Sequence, residues 1–179
     1  MRKCSNLSKV YWFTGLSGAG KSSLCQQFVG HLRAQGRTIV MLDGDELREV
    51  MGATNAHNRK ERLALGMRYA HLCYLISTQG VDVSIATISM FREIHDWNRQ
   101  NIPGYVEIFL DVPMAELARR DPKEIYERAA RGEMKNVAGL DLEVDEPQAP
   151  DVHIVWKPGI AIEVAFEQIM EKLHAKGCL

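Results

Sequence analysis

Five short apolar runs, at residues 10–14, 38–42, 81–88, 105–110 and 152–156, are rich in β-branched and aromatic side chains. They are mostly continuous rather than alternating, which is the pattern of strands buried on both faces. Between them, longer stretches carry apolar residues at helical spacing: 20–34, 59–78, 114–131 with a break expected at Pro122, and 160–175 after the last run. Strands that alternate with helices, without hairpin signals, predict an α/β fold: a five-stranded parallel sheet with helices on both faces. No repeat or linker divides the chain, so residues 1–179 are expected to form a single domain.

Composition narrows the class of partner. With 46% hydrophobic and 25% charged residues the chain can bury an ordinary core, which excludes disordered and low-complexity classes. Lys plus Arg (22) nearly cancels Asp plus Glu (23), so no global field draws in a nucleic-acid polymer or a membrane, and neither is an expected partner. Any anion must be captured by a local site. Cys4, Cys25, Cys73 and Cys178 are far apart with no CxxC pair, and no run approaches the ~20 apolar residues of a membrane span. The first residues carry charge but no apolar stretch of a targeting segment, so a reduced, cytoplasmic protein is expected. The histidines form no metal-binding spacing; His71, Cys73, Tyr74, Trp12 and Trp156 read as packing or surface residues.

One segment departs from the strand–helix rhythm. Residues 119–151 pass from a basic stretch (Arg119, Arg120, Lys123, Arg128, Arg131, Lys135) to an acidic one holding Asp141, Glu143, Asp145 and Glu146. Such a run is either a solvated helix face and loop or a lid that carries cations over a phosphate site.

A phosphate site is written directly after the first run, where Gly15-Leu16-Ser17-Gly18-Ala19-Gly20-Lys21-Ser22 matches GxxxxGK[ST]. Glycines there let the backbone turn its N–H groups inward around a phosphate, and the helix that follows adds its N-terminal dipole. Lys21 is placed to reach the β and γ phosphates, Ser22 to ligate Mg2+, and Ser17, Ala19 and Ser23 to complete the ATP-binding loop. The fold expected is therefore the three-layer P-loop nucleoside-triphosphate hydrolase fold. No Asn-Lys-x-Asp follows to read a guanine, and the chain is short for a motor, so a phosphoryl transferase fits best. At the end of the second run stand Asp43 and Asp45, at the strand end where a parallel sheet lines its ligand crevice. Two carboxylates there suit a metal ligand and a general base, or one of them caps the next helix.

Taken together with Leu42-Asp43-Gly44-Asp45 and Arg48, Asn58-Arg59-Lys60-Glu61, Ile88-Ser89-Met90-Phe91-Arg92, Arg120-Asp121-Pro122-Lys123 with Tyr126, and Gly132-Glu133-Met134-Lys135-Asn136 with Gly139, the chain resembles the adenylylsulfate (APS) kinases. The resemblance implies ATP-dependent phosphorylation of a nucleotide's ribose 3′-hydroxyl, with Mg2+ accompanying ATP. It implies Asp45 as general base, Asp43 near the metal, Arg48 and Arg59 on the acceptor's phosphate-bearing end, and Lys135 and Asn136 as acceptor contacts in a lid. Ile88 and Ser89 fall in the acceptor segment; Ser89 matches a serine phosphorylated in some members, or it only positions the substrate. Family members are often dimers, which allows a homodimer here.

The departures gather around the acceptor's base. Two phenylalanines that sandwich adenine in the family correspond to Thr54 or a neighbour and to Val137, and a family Asn is replaced by Arg62, a cation suited to a phosphoryl oxygen or a pyrimidine carbonyl of the acceptor. Base stacking is worth about 1–3 kcal/mol per ring. Either His57, Tyr69, Phe91 or a partner subunit supplies the missing ring and the acceptor is adenylylsulfate, as the resemblance first implies, or the acceptor is not an adenine nucleotide, as in a branch that phosphorylates cytidine diphosphoramidate. A non-catalytic nucleotide-binding module would be expected to lose Lys21, Asp45 or the acceptor arginines, and all are present. A kinase of a small non-nucleotide would not explain Ile-Ser-x-Phe-Arg together with Lys-Asn.

Overall fold

The most apolar run forms β1 (Val10–Thr14), buried along its whole length at the centre of a parallel sheet. A computed structural model describes residues 8–53 and 58–179. In it β2 (Ile39–Asp43), β3 (Asp82–Ala86), β4 (Tyr105–Asp111) and β5 (Val152–Val155) complete a five-stranded sheet of order β2-β3-β1-β4-β5. Successive side chains of a strand point to opposite faces. Tyr11 and Phe13 accordingly pack with α1 (Lys21–Ala34) and α7 (Ile162–Ala175), whereas Val10 and Trp12 pack with α2 (Gly44–Val50), α3 (Arg59–Ser77) and α4 (Arg92–Asn101). The expected three layers are present. Continuous burial does not extend to β5, where Val152 and Ile154 are buried and their neighbours exposed, because an edge strand covers only one face.

Two helices lie outside the expected pattern. Asp43 caps α2 by accepting the Asp45 N–H at 2.8 Å, so the acidic turn is itself the start of a helix. In α4 the helical spacing is carried by only Ile94 and Trp97 among charged and polar residues, and the helix also buries the polar His95 and Asn98. The reason is a polar contact. Glu107 of β4, 2% exposed, accepts hydrogen bonds from Tyr105 (2.8 Å) and Arg99 (2.8 Å) and is bonded to His95 Nδ1 at 2.6 Å. Burial raises the Glu107 pKa, but these partners outweigh it and hold the carboxyl below its usual range.

Around Pro122 the expected break is real, separating α5 (Met114–Arg120) from α6 (Ile125–Ala130). Asp121 makes the join, its carboxylate accepting the N–H groups of Ile125 and Glu127 at 2.8 and 2.9 Å. The apolar run at 81–88 leaves the sheet after Ala86, and Thr14 Oγ1 donates to the Ile88 carbonyl at 2.6 Å. Trp12, Trp156 and Cys73 are buried, and His71 and Tyr74 meet Trp97 edge-on at 4.4 and 6.1 Å, packing roles as expected; Cys25 is buried as well. Cys4, Thr54 and His57 lie outside the described residues. Among those described, no helix is long and apolar enough to cross a membrane.

Candidate active site

The carboxyl ends of the central strands open into a cleft of about 1040 Å³. β1 enters it through Gly15, where φ is 147° and a Cβ would lie 2.6 Å from the Leu110 carbonyl oxygen, so only glycine fits. The loop closes on itself through the Ala19 N–H to Leu16 O bond (3.2 Å), and α1 begins after Gly20. Ser17, Gly18, Gly20, Lys21, Ser22 and Ser23 line the cleft; Ala19 is buried behind them. Lys21 Nζ donates to Leu16 O at 2.7 Å, and burial pushes its pKa down to about 8 against the attraction of Asp45 and Asp43.

Two side chains from residues 119–151 hold this loop from behind. Tyr126 donates to Ser17 O at 2.8 Å and Arg120 Nη1 to Gly18 O at 3.3 Å, while Arg120 stacks 4.1 Å over the Trp156 ring. In a trans peptide the N–H points opposite to the C=O, so fixing the Ser17 carbonyl on the Tyr126 side turns the Gly18 N–H the other way, the orientation a phosphate-binding loop requires. Tyr126→Phe is therefore expected to raise KM for ATP about 3- to 10-fold with kcat and the acceptor's KM nearly unchanged. Steady-state kinetics with each substrate varied in turn would refute this if both KM values rose together.

Beside the loop, Ser22 Oγ donates to Asp43 Oδ2 at 2.5 Å while Asp43 Oδ1 caps α2, so the cap expected as the alternative role is present and the second oxygen faces the Ser22 hydroxyl. A hydroxyl and a carboxylate oxygen next to a phosphate loop are hard ligands that suit Mg2+ together with phosphate and water oxygens. Asp45 is ion-paired with Lys123. Burial raises its pKa, but the hydrogen bond and charge of Lys123, with Arg48 and Lys21, lower it overall, leaving a carboxylate at neutral pH.

The opposite wall carries Arg48, Arg62, Ile88, Ser89, Lys135 and Asn136. Ser89 sits at φ 28° with its Oγ 2.8 Å from Thr87 Oγ1. Helix α3 approaches it closely at Gly66, where a Cβ would lie 2.4 Å from Ile94 Cδ1 and 3.0 Å from Ser89 Oγ. Asn136, also at positive φ (59°), and Val137 give their N–H groups to Asp141 at 2.7 and 2.6 Å, and these bonds lower the Asp141 pKa. Arg62 Nη2 donates to Asn136 O at 2.9 Å. Val137, Leu65, Tyr69, Phe91 and Val144 supply apolar surface.

A family model for adenylylsulphate kinase matches residues 7–155. The chain belongs to the adenylylsulphate kinase family. It is 39% identical over 164 residues to the cytidine diphosphoramidate kinase of Campylobacter jejuni subsp. jejuni serotype O:2, covering 92% of this chain and 95% of that protein. It is 36% identical over 166 residues to the adenylyl-sulfate kinase of Picosynechococcus sp., covering 93% of each. Its fold superposes on the Mycobacterium tuberculosis APS kinase in complex with AMPPNP and APS with a TM-score of 0.85, at 30% identity, over 95% of this chain and 99% of that one. As its motifs implied, this family member is a nucleotide 3′-hydroxyl kinase.

Most of the expected site converges on the family's cleft. Gly15 and Ala19 act beneath it, and Arg59 is turned away from it, toward Asp145 (2.8 Å) and Glu93 (3.4 Å). The cations of the 119–151 segment divide between surface and cleft. Arg119 and Arg131 pair with Glu116, Glu127 and Glu133 on the surface, while Arg120, Lys123, Arg128 and Lys135 line the cleft. Sequence reasoning placed Arg120 and Lys123 only collectively among the cations of the 119–151 segment, and gave no role to Tyr126, Asp141 or Asp145. The first three stood inside a motif shared with the family, which was the available signal; the two aspartates were legible only as part of an acidic run.

Proposed function

We propose that the chain transfers the γ-phosphoryl group of MgATP to the ribose 3′-hydroxyl of cytidine diphosphoramidate. The observation that carries the choice of acceptor is Val137, 4% exposed, in the cleft wall immediately after Lys135 and Asn136. An aliphatic residue there offers no ring for an adenine to stack upon and suits a smaller base. Among the described residues lining the cleft, Tyr69 donates to Gly44 O at 3.1 Å and Phe91 is covered by the Arg59 guanidinium at 5.0 Å. The similarity to the Campylobacter jejuni kinase supports the same reading. Adenylylsulfate is the second reading, favoured by the likeness to a kinase solved with APS.

In this reading Gly18 to Ser23 and Lys21 hold the triphosphate, and Ser22 with Asp43 hold Mg2+, which screens the charge of the β and γ phosphates. Ile88, Ser89, Asn136 and Lys135 orient the acceptor. Asp45 takes the 3′-hydroxyl proton as that oxygen bonds to the γ-phosphorus and the bond to the β-phosphate oxygen breaks, releasing ADP. Lys123 leaves Asp45 for the transferring phosphoryl group, which raises the basicity of the carboxylate when it is needed. The purified protein incubated with MgATP and either acceptor is expected to release ADP above the ATP-only background, with the larger kcat/KM for cytidine diphosphoramidate. Preference for adenylylsulfate would establish the second reading, and no release with either would remove both.

A further inference from the structure

Arg59 and Arg62 stand three residues apart near the start of α3, close enough to share a helix face, yet their guanidinium groups go to different places. Arg59 lies on Phe91 and reaches Asp145 Oδ2 at 2.8 Å and Glu93 Oε1 at 3.4 Å. Asp145 is itself fastened to the segment that follows Ser89: its Oδ2 accepts the Arg92 N–H at 3.1 Å and its N–H donates to Met90 O at 2.9 Å. Arg59 thus has its charge met by two carboxylates and its flat face covered by a ring, outside the cleft lining.

Arg62 lines the cleft beside Arg48 and donates to Asn136 O of the same wall at 2.9 Å. Burial lowers the Arg62 pKa, and the charge of Arg48 lowers it further, with Asp141 opposing. Arg48 Nε is buried and has no hydrogen-bond partner among the described residues. Two guanidinium groups in one half-buried wall repel each other, and a multidentate anion such as a phosphoryl group placed between them turns that repulsion into charge-assisted hydrogen bonding.

We propose that Arg62, acting with Arg48, grips the phosphoryl oxygens of the acceptor's 5′ tail, and that Arg59 is a positioning residue which clips the 119–151 segment to residues 90–92 through Asp145. This rests on the reading of the chain as a kinase of a nucleoside 5′-diphosphate-like acceptor. It differs from the role that the family resemblance gives Arg59, and it makes position 62 a determinant of specificity. Because Arg62 also holds the Asn136 carbonyl, an acceptor seated on it is linked to the wall that carries Lys135.

The test compares Arg62→Asn, Arg62→Lys, Arg59→Gln, Asp145→Asn and the Arg59→Gln/Asp145→Asn double variant by steady-state kinetics with the acceptor and ATP varied separately. Arg62→Asn is expected to raise the acceptor's KM by about 10- to 100-fold, the loss of charge-assisted hydrogen bonds, without moving KM for ATP. Arg62→Lys is expected to recover part of that loss. Arg59→Gln and Asp145→Asn should give the same modest decrease in kcat, and the double variant should be no worse than either, as for two ends of one contact. An acceptor KM within about twofold of wild type in Arg62→Asn, or a large rise in Arg59→Gln that Asp145→Asn does not share, overturns the proposal while leaving the kinase reading in place. Wild-type protein that turns over neither acceptor overturns both.

Discussion

Asp45→Asn is expected to lower kcat by ~100-fold or more, the usual loss when a general base is removed, with ATP affinity nearly intact. Asparagine keeps the size of the side chain and can still accept a hydrogen bond from Lys123, but it cannot take the 3′-hydroxyl proton. Affinity should persist because the groups that meet the triphosphate, Lys21 and the loop N–H groups, belong to a different element. The Asp45–Lys123 pair has 60% and 54% exposed side chains, so breaking it should scarcely alter stability. Saturating kinetics, paired with titration of a non-hydrolysable ATP analogue, separate the effects. Near-normal turnover would take the role of base away from Asp45.

Lys21→Ala should cost on the order of 10²- to 10³-fold in kcat/KM for ATP, since it deletes a preorganised cation from the place where phosphoryl charge develops. The wild-type lysine gives a second readout. Its pKa in the ligand-free protein is about 8, below the ordinary lysine value, because burial disfavours the charged form. The protonated form binds the triphosphate, so ATP affinity should be flat at neutral pH and fall as pH rises through about 8. Bound phosphate raises the lysine pKa again, so binding above that pH should take up a proton. Calorimetry in buffers of different ionisation enthalpy measures that uptake, and its absence, with a flat affinity profile, would remove Lys21 as the titrating group. Lys21→Arg should abolish the inflexion.

How far the sequence could be read depended on whether an element carried its own period. Continuous apolar runs marked all five strands, and the Gly15–Ser22 motif located the phosphate loop, because each is a local pattern. Helix α4 was not expected because its apolar positions, Ile94 and Trp97, are few among charged neighbours, and part of its anchorage is the Glu107 contacts of His95 and Arg99. Asp43 was legible as a carboxylate near the site, but not as one that caps α2 and meets Ser22 at once.

The chemistry of this protein, a P-loop, two acidic residues at a strand end and a basic segment able to reach them, is determined by short stretches of sequence whose backbone geometry follows from their own residues. The partition of its cations was decided by tertiary structure. Tyr126 meets Ser17 across 109 residues of sequence, Arg59 meets Asp145 across 86, and Arg62 meets Asn136 across 74. No periodicity along the chain encodes such pairs. A long, flexible cationic side chain goes to whichever carboxylate or carbonyl the packed helices bring within reach, and that is fixed only when α3, α4 and the 119–151 segment close around the cleft.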